Sequence, residues 1–225
     1  MDAEKKHPPE RGGIRIAVLV SGHGRGSNMQ ALIDGCRDGR IQGNVVVVIG
    51  TRRGAPALER ASLAGIPTLV ISPCDAGGEA EYGKRLLRAL RRYKVDLVCL
   101  AGYMRLLPKE VVEAYRWRIM NIHPALLPRF GGKGMYGERV HEAVLSTGQI
   151  ESGCTVHFVD DEYDHGPVIL QTRVPVLPGD TPDTLAARVL PEEHKTYVKA
   201  VALFSEGRLR IKNGTVRITD RAEED

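Results

Sequence analysis

The sequence predicts a single α/β domain built on a doubly wound, mostly parallel sheet. Runs of Val, Ile and Leu recur along the chain, and segments of helical composition separate them. Strands that are apolar on both faces are typical of parallel sheets covered by helices on each side. A glycine-rich loop directly after the first apolar run indicates that a ligand binds at the carboxyl ends of the strands.

Four elements are expected in the first third of the chain. The continuous apolar runs IRIAVLV (14–20) and NVVVVIG (44–50) predict buried strands. A helix is expected over 28–39, directly after the glycine loop. APALERASLAG (55–65) predicts a second helix, and the PTLVIS segment (67–72) predicts the third strand.

The middle of the chain predicts one helix and four strands. In 82–94, Lys and Arg recur at helical spacing with leucines on the opposite face. DLVCLAG (96–102) predicts the fourth strand, and WRIMNIH (117–123) a fifth that ends in polar residues. Two more strands are expected at 153–160, which alternates in part, and at 167–176.

A long helix and a hairpin are expected to close the domain. Thr181 fits the N-cap of a helix over 181–207, which we expect to be interrupted near Pro191. An Asn-Gly turn within 208–218 predicts a hairpin. The predicted organisation is a flexible lead-in at 1–13, one domain at 14–218, and a charged tail at 219–225.

Composition limits the classes of function. The 225 residues are 42% apolar and 27% charged, as in soluble globular proteins, and the formal charge is only +4. That charge suits a protein that handles anionic small molecules. The basic cluster in 82–94 fits a solvated helix face, so nucleic acid is not an expected partner.

The sequence favours a cytoplasmic protein. Its four cysteines form no C-x-x-C pair, so neither disulfides nor a zinc site is expected. The first residues are polar and lack the apolar stretch of a signal peptide. No segment approaches the roughly 20 apolar residues of a membrane span.

The glycine loop SGHGRGSN (21–28) admits two ligand types. A dinucleotide fingerprint would need glycine at position 27, which is Ser, and an acidic residue after the second strand. That strand instead ends at Arg52 and Arg53, which leaves a weak NADP alternative. A single phosphate fits better, because Gly26 permits close backbone approach and the amides of the next helix point at the anion. Taken alone, the loop fits a phosphate site and a simple tight turn about equally.

Polar side chains follow the fifth strand. Alternation places Asn121 and His123 on the same face, where an amide and an imidazole suit a developing oxyanion and a proton transfer. In an isolated N-x-H segment, the simpler interpretation is that His123 hydrogen-bonds a loop and Asn121 caps a turn. The acid-rich loop after His157 favours the catalytic interpretation, because one of its carboxylates (Asp160, Asp161, Glu162 or Asp164) could orient an imidazole and raise its pKa.

Two other chemistries are disfavoured. A metal site would recruit His123, His157 and either Asp164 or His165, but no zinc-type spacing supports it, so no metal is expected. The chain also lacks a G-x-S-x-G elbow. For acyl transfer, the nucleophile would therefore belong to the substrate.

Five segments of the chain carry a family resemblance. They occur in the order GSNMQALI, LAGYMRLLP, NIHPALLP, TVHFVDDEYDHGPVILQ and EEHKTY, and in them the chain resembles phosphoribosylglycinamide formyltransferases. These enzymes are folate-dependent glycinamide ribonucleotide (GAR) transformylases of purine synthesis. The resemblance spans about residues 14 to 210 and implies a Rossmann-like formyltransferase fold. It further implies formyl transfer from 10-formyltetrahydrofolate to the amine of GAR, without a metal, by a monomer or homodimer.

The resemblance also assigns roles to residues. Asn121, His123 and Asp164 match the catalytic trio, with His157 in a supporting role. The phosphate of GAR would be held by Gly26, Ser27 and Asn28, and Glu193 would contact its ribose. A folate-binding set consists of Met104, Arg105, Leu106, Leu107, Leu100, Val159 and Asn121. Asn121 and protonated His123 would stabilise the oxyanion, Asp164 would favour the charged imidazole, and His123 would shuttle the proton.

Three segments depart from the family pattern. The loop 21–28 is two residues longer, and Glu79 stands where a basic residue often meets the glutamate tail of folate. The loop 130–139 is also longer, and Lys133 or His141 could alter access to the site.

Alternatives remain open. Methionyl-tRNA formyltransferase would need a further C-terminal domain. Formyltetrahydrofolate deformylase uses water as the acceptor. An NADP-dependent oxidoreductase would have to bind its cofactor at the glycine loop.

Overall fold

A seven-stranded sheet forms the centre of the protein. The computed structural model describes residues 12–22 and 24–220, so most of the predicted lead-in, His23 and the end of the charged tail lie outside the described residues. The strand order is β3-β2-β1-β4-β5-β6-β7. The strands are β1 (Ile14–Val20), β2 (Gly43–Gly50), β3 (Thr68–Val70), β4 (Leu97–Leu100), β5 (Ile119–His123), β6 (Glu151–Phe158) and β7 (Val168–Pro175). β1 to β5 pair in parallel and β6 is antiparallel to both neighbours, which confirms the predicted fold class.

Helices cover both faces of this sheet. They are α1 (Ser27–Arg37), α2 (Pro56–Leu63), α3 (Pro73–Ala76), α4 (Glu79–Arg92), α5 (Lys109–Ala114), α6 (Glu138–Ser146) and α7 (Pro182–Ser205). α3, α5 and α6 were not predicted from the sequence, because four, six and nine residues are too few to display a clear helical period. Among the described residues, no helix is long and apolar enough to cross a bilayer.

The long helix α7 continues through Pro191, so the predicted interruption is wrong. A proline inside a helix costs about 3 kcal/mol. Both halves of α7 are nevertheless anchored, by Leu185 and Val189 before the proline and by buried residues such as Tyr197 after it. Tertiary packing of these side chains offsets the missing backbone hydrogen bond. The predicted N-cap is correct, since Thr181 accepts a hydrogen bond from the Thr184 amide.

The alternating side chains of β1 show that the sheet is buried on both faces. Ile16 and Val18 belong to a core beneath α1, α2 and α7, whereas Ala17 and Leu19 belong to a second core beneath α4 and α5. All four are fully buried. This double coverage explains why the predicted strands are continuous apolar runs.

The closing hairpin pairs β8 (Leu209–Lys212) with β9 (Thr215–Ile218) in a separate two-stranded sheet. Its turn residues, Asn213 and Gly214, have φ values of 50° and 71°. Left-handed values at both positions are what a tight hairpin turn requires. The hairpin predicted from the Asn-Gly pair is therefore confirmed.

Tyr197 ties α7 to β4 and β5. Its hydroxyl lies 3.0 Å from the carbonyl oxygens of both Leu100 and Met120, and it donates its one hydrogen between them. The side chain is fully buried. Because Asn121 follows Met120, this contact fixes the backbone from which the polar residues of β5 emerge.

Candidate active site

A cavity of about 680 Å³ opens at the carboxyl ends of β4 and β5. Asn28 and Glu193 line one end, and Met104 and Tyr163 line another part of the wall. Further parts of the wall come from β5, the glycine-rich loop 132–137, the facing sides of α6 and α7, and the loops that follow β4, β5 and β6. This is the position at which doubly wound sheets bind ligands.

The Asp164 carboxylate joins the predicted trio. Its Oδ1 accepts a hydrogen bond from Asn121 Nδ2 at 3.3 Å, and its Oδ2 accepts one from the Gly132 amide at 3.0 Å. Oδ2 also lies 3.5 Å from His123 Nδ1. Three residues that the sequence analysis selected from two separate segments therefore meet on one wall of the cavity.

Asp164 is charged at neutral pH. Burial alone would raise its pKa, but the neighbouring His157 and His123 side chains and the Gly132 amide together hold the pKa below its usual range. Its backbone has a left-handed φ of 52°, which Asp tolerates better than most residues. The loop after β6 thus presents a fixed negative charge to the two polar side chains of β5.

His123 is neutral at pH 7, contrary to the sequence-based expectation of a raised pKa. The ring is buried, and burial lowers its pKa by more than Asp164 and the Phe130 carbonyl raise it, with His157 lowering it further. Nε2 lies 2.7 Å from the Phe130 carbonyl oxygen, to which Nε2–H donates. In the neutral ring, Nδ1 therefore presents its lone pair toward Asp164, and a proton taken up at Nδ1 would face the carboxylate.

His157 fixes the orientation of the Asn121 amide. The two residues lie opposite each other in the antiparallel pairing of β5 and β6. His157 Nδ1–H donates to the Phe158 carbonyl oxygen at 2.8 Å, so its Nε2 accepts from Asn121 Nδ2 at 3.2 Å. The second hydrogen of that amide bonds Asp164. Both hydrogens of the Asn121 amide are therefore engaged.

The glycine loop meets α1 as a helix N-terminus. Gly26 is the N-cap with a left-handed φ of 74°, and a Cβ at this position would lie 2.8 Å from the Cβ of Ala57. The first hydrogen bond of the helix runs from the Gln30 amide to the Gly26 carbonyl oxygen. The amides of Ser27 and Asn28 precede that bond and sit at the positive end of the helix, which suits an anion.

Asn28 and Glu193 form a buried pair at one end of the cavity. Asn28 Nδ2 donates to Glu193 Oε2 at 2.6 Å, and Asn28 Oδ1 is buried without a partner. Burial raises the pKa of Glu193, and the bond from Asn28 opposes part of that rise. Ser27 instead lines a separate cleft of about 300 Å³ between α1 and α7. The residues of the predicted phosphate loop therefore border two different cavities.

Most of the predicted folate-binding set does not line the cavity, apart from Met104 and Asn121. Leu100, Leu107 and Val159 are buried in the second core. Arg105 is exposed and forms an ion pair with Glu79, and the Leu106 amide donates to the Tyr163 hydroxyl at 3.2 Å. The roles of these five residues as folate contacts stay predictions.

Part of the cavity wall was not predicted from the sequence. Tyr103 and Tyr163 line it, as do Pro182, Ala186 and Leu190 from α7. Tyr163 could have been found, because it adjoins Asp164 in the acid-rich loop. The α7 residues carry no such signal, because an apolar helix face by itself predicts packing in the hydrophobic core.

No metal-type cluster is present in the part of the chain that the structure describes: no three His, Cys, Asp or Glu residues are arranged to hold an ion. His123, His157 and Asp164 do lie together, within the hydrogen-bond network around Asn121. His165 is exposed and pairs with Asp160, 2.7 Å away.

Comparisons with known proteins agree with this geometry. The family model described as formyl transferase matches residues 14–201. The chain is 46% identical over 209 residues to the chloroplastic phosphoribosylglycinamide formyltransferase of Arabidopsis thaliana, covering 91% of this chain and 69% of that protein. It is 41% identical over 198 residues to the phosphoribosylglycinamide formyltransferase of Escherichia coli K12, covering 88% and 90%. The crystal structure of glycinamide ribonucleotide transformylase 1 from Symbiobacterium toebii superposes with a TM-score of 0.87 at 46% identity, covering 97% of this chain and all of that one.

Proposed function

The chain belongs to the formyl transferase family, and from that premise we propose that it formylates the amine of GAR in purine biosynthesis. The formyl donor is 10-formyltetrahydrofolate, and the products are formyl-GAR and tetrahydrofolate. The observation that carries the proposal is the Asp164 carboxylate, hydrogen-bonded to Asn121 and facing His123 on the cavity wall. The names of the similar proteins support the choice of acceptor.

The acceptor would enter from the glycine-loop end of the cavity. The free amides at the start of α1 suit its phosphate. Glu193 and Asn28, which line the same end, would bind ribose hydroxyls. The folate would occupy the part of the cavity next to Met104 and Tyr163, where the wall is apolar and aromatic. This arrangement brings the amine and the formyl carbon together beside Asn121 and His123.

The chain's own residues would move one proton. When the amine attacks the formyl carbon, a C–N bond forms, the amine nitrogen becomes positive and the formyl oxygen becomes negative. Neutral His123 can accept the amine proton at Nδ1, where the Asp164 carboxylate stabilises the imidazolium. It then returns the proton to N10 of the folate as the C–N10 bond breaks. Proton transfer by a positioned side chain typically contributes about 10²- to 10⁴-fold.

Asn121 must exchange a partner in order to stabilise the oxyanion. Both of its amide hydrogens are engaged, and the bond to Asp164 is the longer at 3.3 Å. We propose that this hydrogen turns to the formyl oxygen as the negative charge develops. One such donor is worth about 2.7–4 kcal/mol in the transition state of acyl transfer.

An assay with two acceptors tests the function. We expect the purified protein to deformylate 10-formyl-5,8-dideazafolate, measured by absorbance with EDTA present, only when GAR is added. Product without GAR would mean that water is the acceptor and would contradict the transferase. No product in either case would contradict both activities.

Replacing Glu193 with Gln should weaken acceptor binding and alter the pH dependence of stability. The Michaelis constant for GAR is expected to rise about tenfold or more, since a hydrogen bond to a charged group is worth about 1.5–3 kcal/mol. Burial raises the pKa of Glu193 in the folded state, so the folded protein holds this proton more tightly than the unfolded chain. Its contribution to the unfolding free energy therefore falls as pH rises from the unfolded pKa through the folded one.

Urea unfolding of both proteins between about pH 4.5 and 8 measures this effect. The stability of the Gln variant relative to the wild type should grow with pH and then level off. A constant difference across this range would contradict the buried charge at Glu193. An unchanged Michaelis constant would remove the residue from acceptor binding.

We also propose a cytoplasmic location. The four cysteines are free thiols, and proteins kept in a reducing compartment carry thiols in this form.

A further inference from the structure

His141 is a buried imidazole that the proposed mechanism does not use. It lies on α6, its side chain is 4% exposed, and it lines the same cavity as His123. Its Nδ1 is buried without a hydrogen-bond partner, and Nε2 makes no hydrogen bond to any described residue. A buried polar group that stays unpaired costs about 1–3 kcal/mol, so its presence needs a reason.

The neighbouring donors in the site already have partners. His123 donates to the Phe130 carbonyl, His157 donates to the Phe158 carbonyl, and Asn121 uses both of its amide hydrogens. Among the histidine and asparagine side chains around Asp164, His141 alone keeps a ring N–H without an acceptor in the described residues. A ligand in the cavity can supply that acceptor.

The burial pattern of the ring indicates which nitrogen carries the proton. Burial lowers the pKa of His141, and a positive charge on the nearby His123 would lower it further, so the ring is neutral at pH 7. Nδ1 is sealed from the cavity. An orphaned acceptor is tolerated better than an orphaned N–H, so the hydrogen belongs on Nε2, which is not sealed.

We propose that His141 binds the acceptor substrate by donating its Nε2–H to a carbonyl or hydroxyl oxygen near the reacting amine. The inference rests on the proposed function and adds a specificity-determining residue to it.

The position of α6 favours the acceptor over the folate as the partner. α6 packs against α7, and α7 carries Glu193 at the acceptor end of the cavity. Met104 and Tyr163, which mark the folate part, come from the loops after β4 and β6 instead. His141 also lines the same cavity as His123, beside which the acceptor amine reacts in the proposed mechanism.

Two substitutions at this position separate hydrogen bonding from packing. His141→Leu removes the donor and also removes an unpaired polar group, so we expect no loss of unfolding free energy. His141→Gln keeps an N–H donor of similar reach. Glu142→Gln is the matched control, because Glu142 is the next residue of the same helix and is exposed.

The readouts are steady-state kinetics for both substrates and calorimetric binding of GAR to the free enzyme. In His141→Leu, the dissociation and Michaelis constants for GAR should rise about 10- to 100-fold, the equivalent of one unmade hydrogen bond in a closed site. The Michaelis constant for the folate should stay within about twofold, and His141→Gln should recover most of the loss.

Each other result overturns the inference. GAR binding within about twofold of wild type in the Leu variant would show that the ligand does not use this donor. A loss confined to the folate constant, or to kcat, would place the contact elsewhere. Equal losses in the Leu and Gln variants, together with a lower unfolding free energy, would assign His141 a packing role. If the wild type and Glu142→Gln neither bind GAR nor turn it over, the proposed function itself fails.

Discussion

Asp164→Asn is expected to lower kcat by about 10²- to 10⁴-fold while the protein stays folded. An Asn side chain keeps the acceptor for the Gly132 amide, and Asn also tolerates the left-handed backbone of this position. Its NH2 group then replaces Oδ1, the oxygen that accepts a hydrogen bond from Asn121 Nδ2. The substitution also removes the negative charge beside His123 Nδ1, so the imidazolium that the reaction requires is no longer stabilised.

Single-turnover rates with both substrates saturating measure this effect on the chemical step. Asp161→Asn is the control, because Asp161 is an exposed carboxylate of the same loop. Urea unfolding should give similar free energies for the two variants. Near-normal turnover in Asp164→Asn would remove Asp164 from the mechanism, and a large loss in Asp161→Asn would point to the loop as a whole.

His123→Asn should reduce kcat/KM by a similar factor of about 10²- to 10⁴-fold and abolish its acid limb. Wild-type kcat/KM depends on neutral His123, and burial lowers the pKa of this ring below its ordinary value of 6.5. The acid limb of the wild-type profile should therefore lie below pH 6.5. Because Asn has no titratable group, the kcat/KM of the variant should not fall at acid pH as the wild-type value does.

The difference in unfolding free energy between the wild type and the His123→Asn variant should also depend on pH. A lowered folded-state pKa means that the unfolded chain binds the proton more tightly than the folded protein. The contribution of His123 to the unfolding free energy thus falls as pH drops below the unfolded pKa. The wild type should lose more stability than the variant between about pH 7 and 5. An acid limb that persists unchanged in the variant would assign the titration to another group.

The order of elements could be read from the sequence because it is encoded locally. The Val- and Ile-rich runs at 14–20 and 44–50 are buried on both faces, so they appear as strands without knowledge of their neighbours. The Asn-Gly turn at 213–214 fixes its hairpin for the same reason, since two adjacent residues set its backbone. The glycine loop and the polar end of β5 were located by their position directly after apolar strands.

Pro191 shows where local information fails. Its ring removes a hydrogen bond from the helix, and a local rule ends the helix there. The helix continues because side chains on both sides of the proline are anchored in a core formed by distant segments.

The sequence by itself determined the sheet, the glycine loop and the polar pair Asn121 and His123, because motif and periodicity reside in neighbouring residues, and its resemblance to a known family selected Asp164. The tertiary structure alone decided that His123 is neutral, that His157 and Asp164 take both hydrogens of Asn121, and that the predicted folate residue Leu107 is buried in a core. It also brought His141 to the cavity through the packing of α6. Burial and hydrogen-bond partners arise between segments far apart in the chain, and these set the pKa values and the free donors on which the chemistry depends.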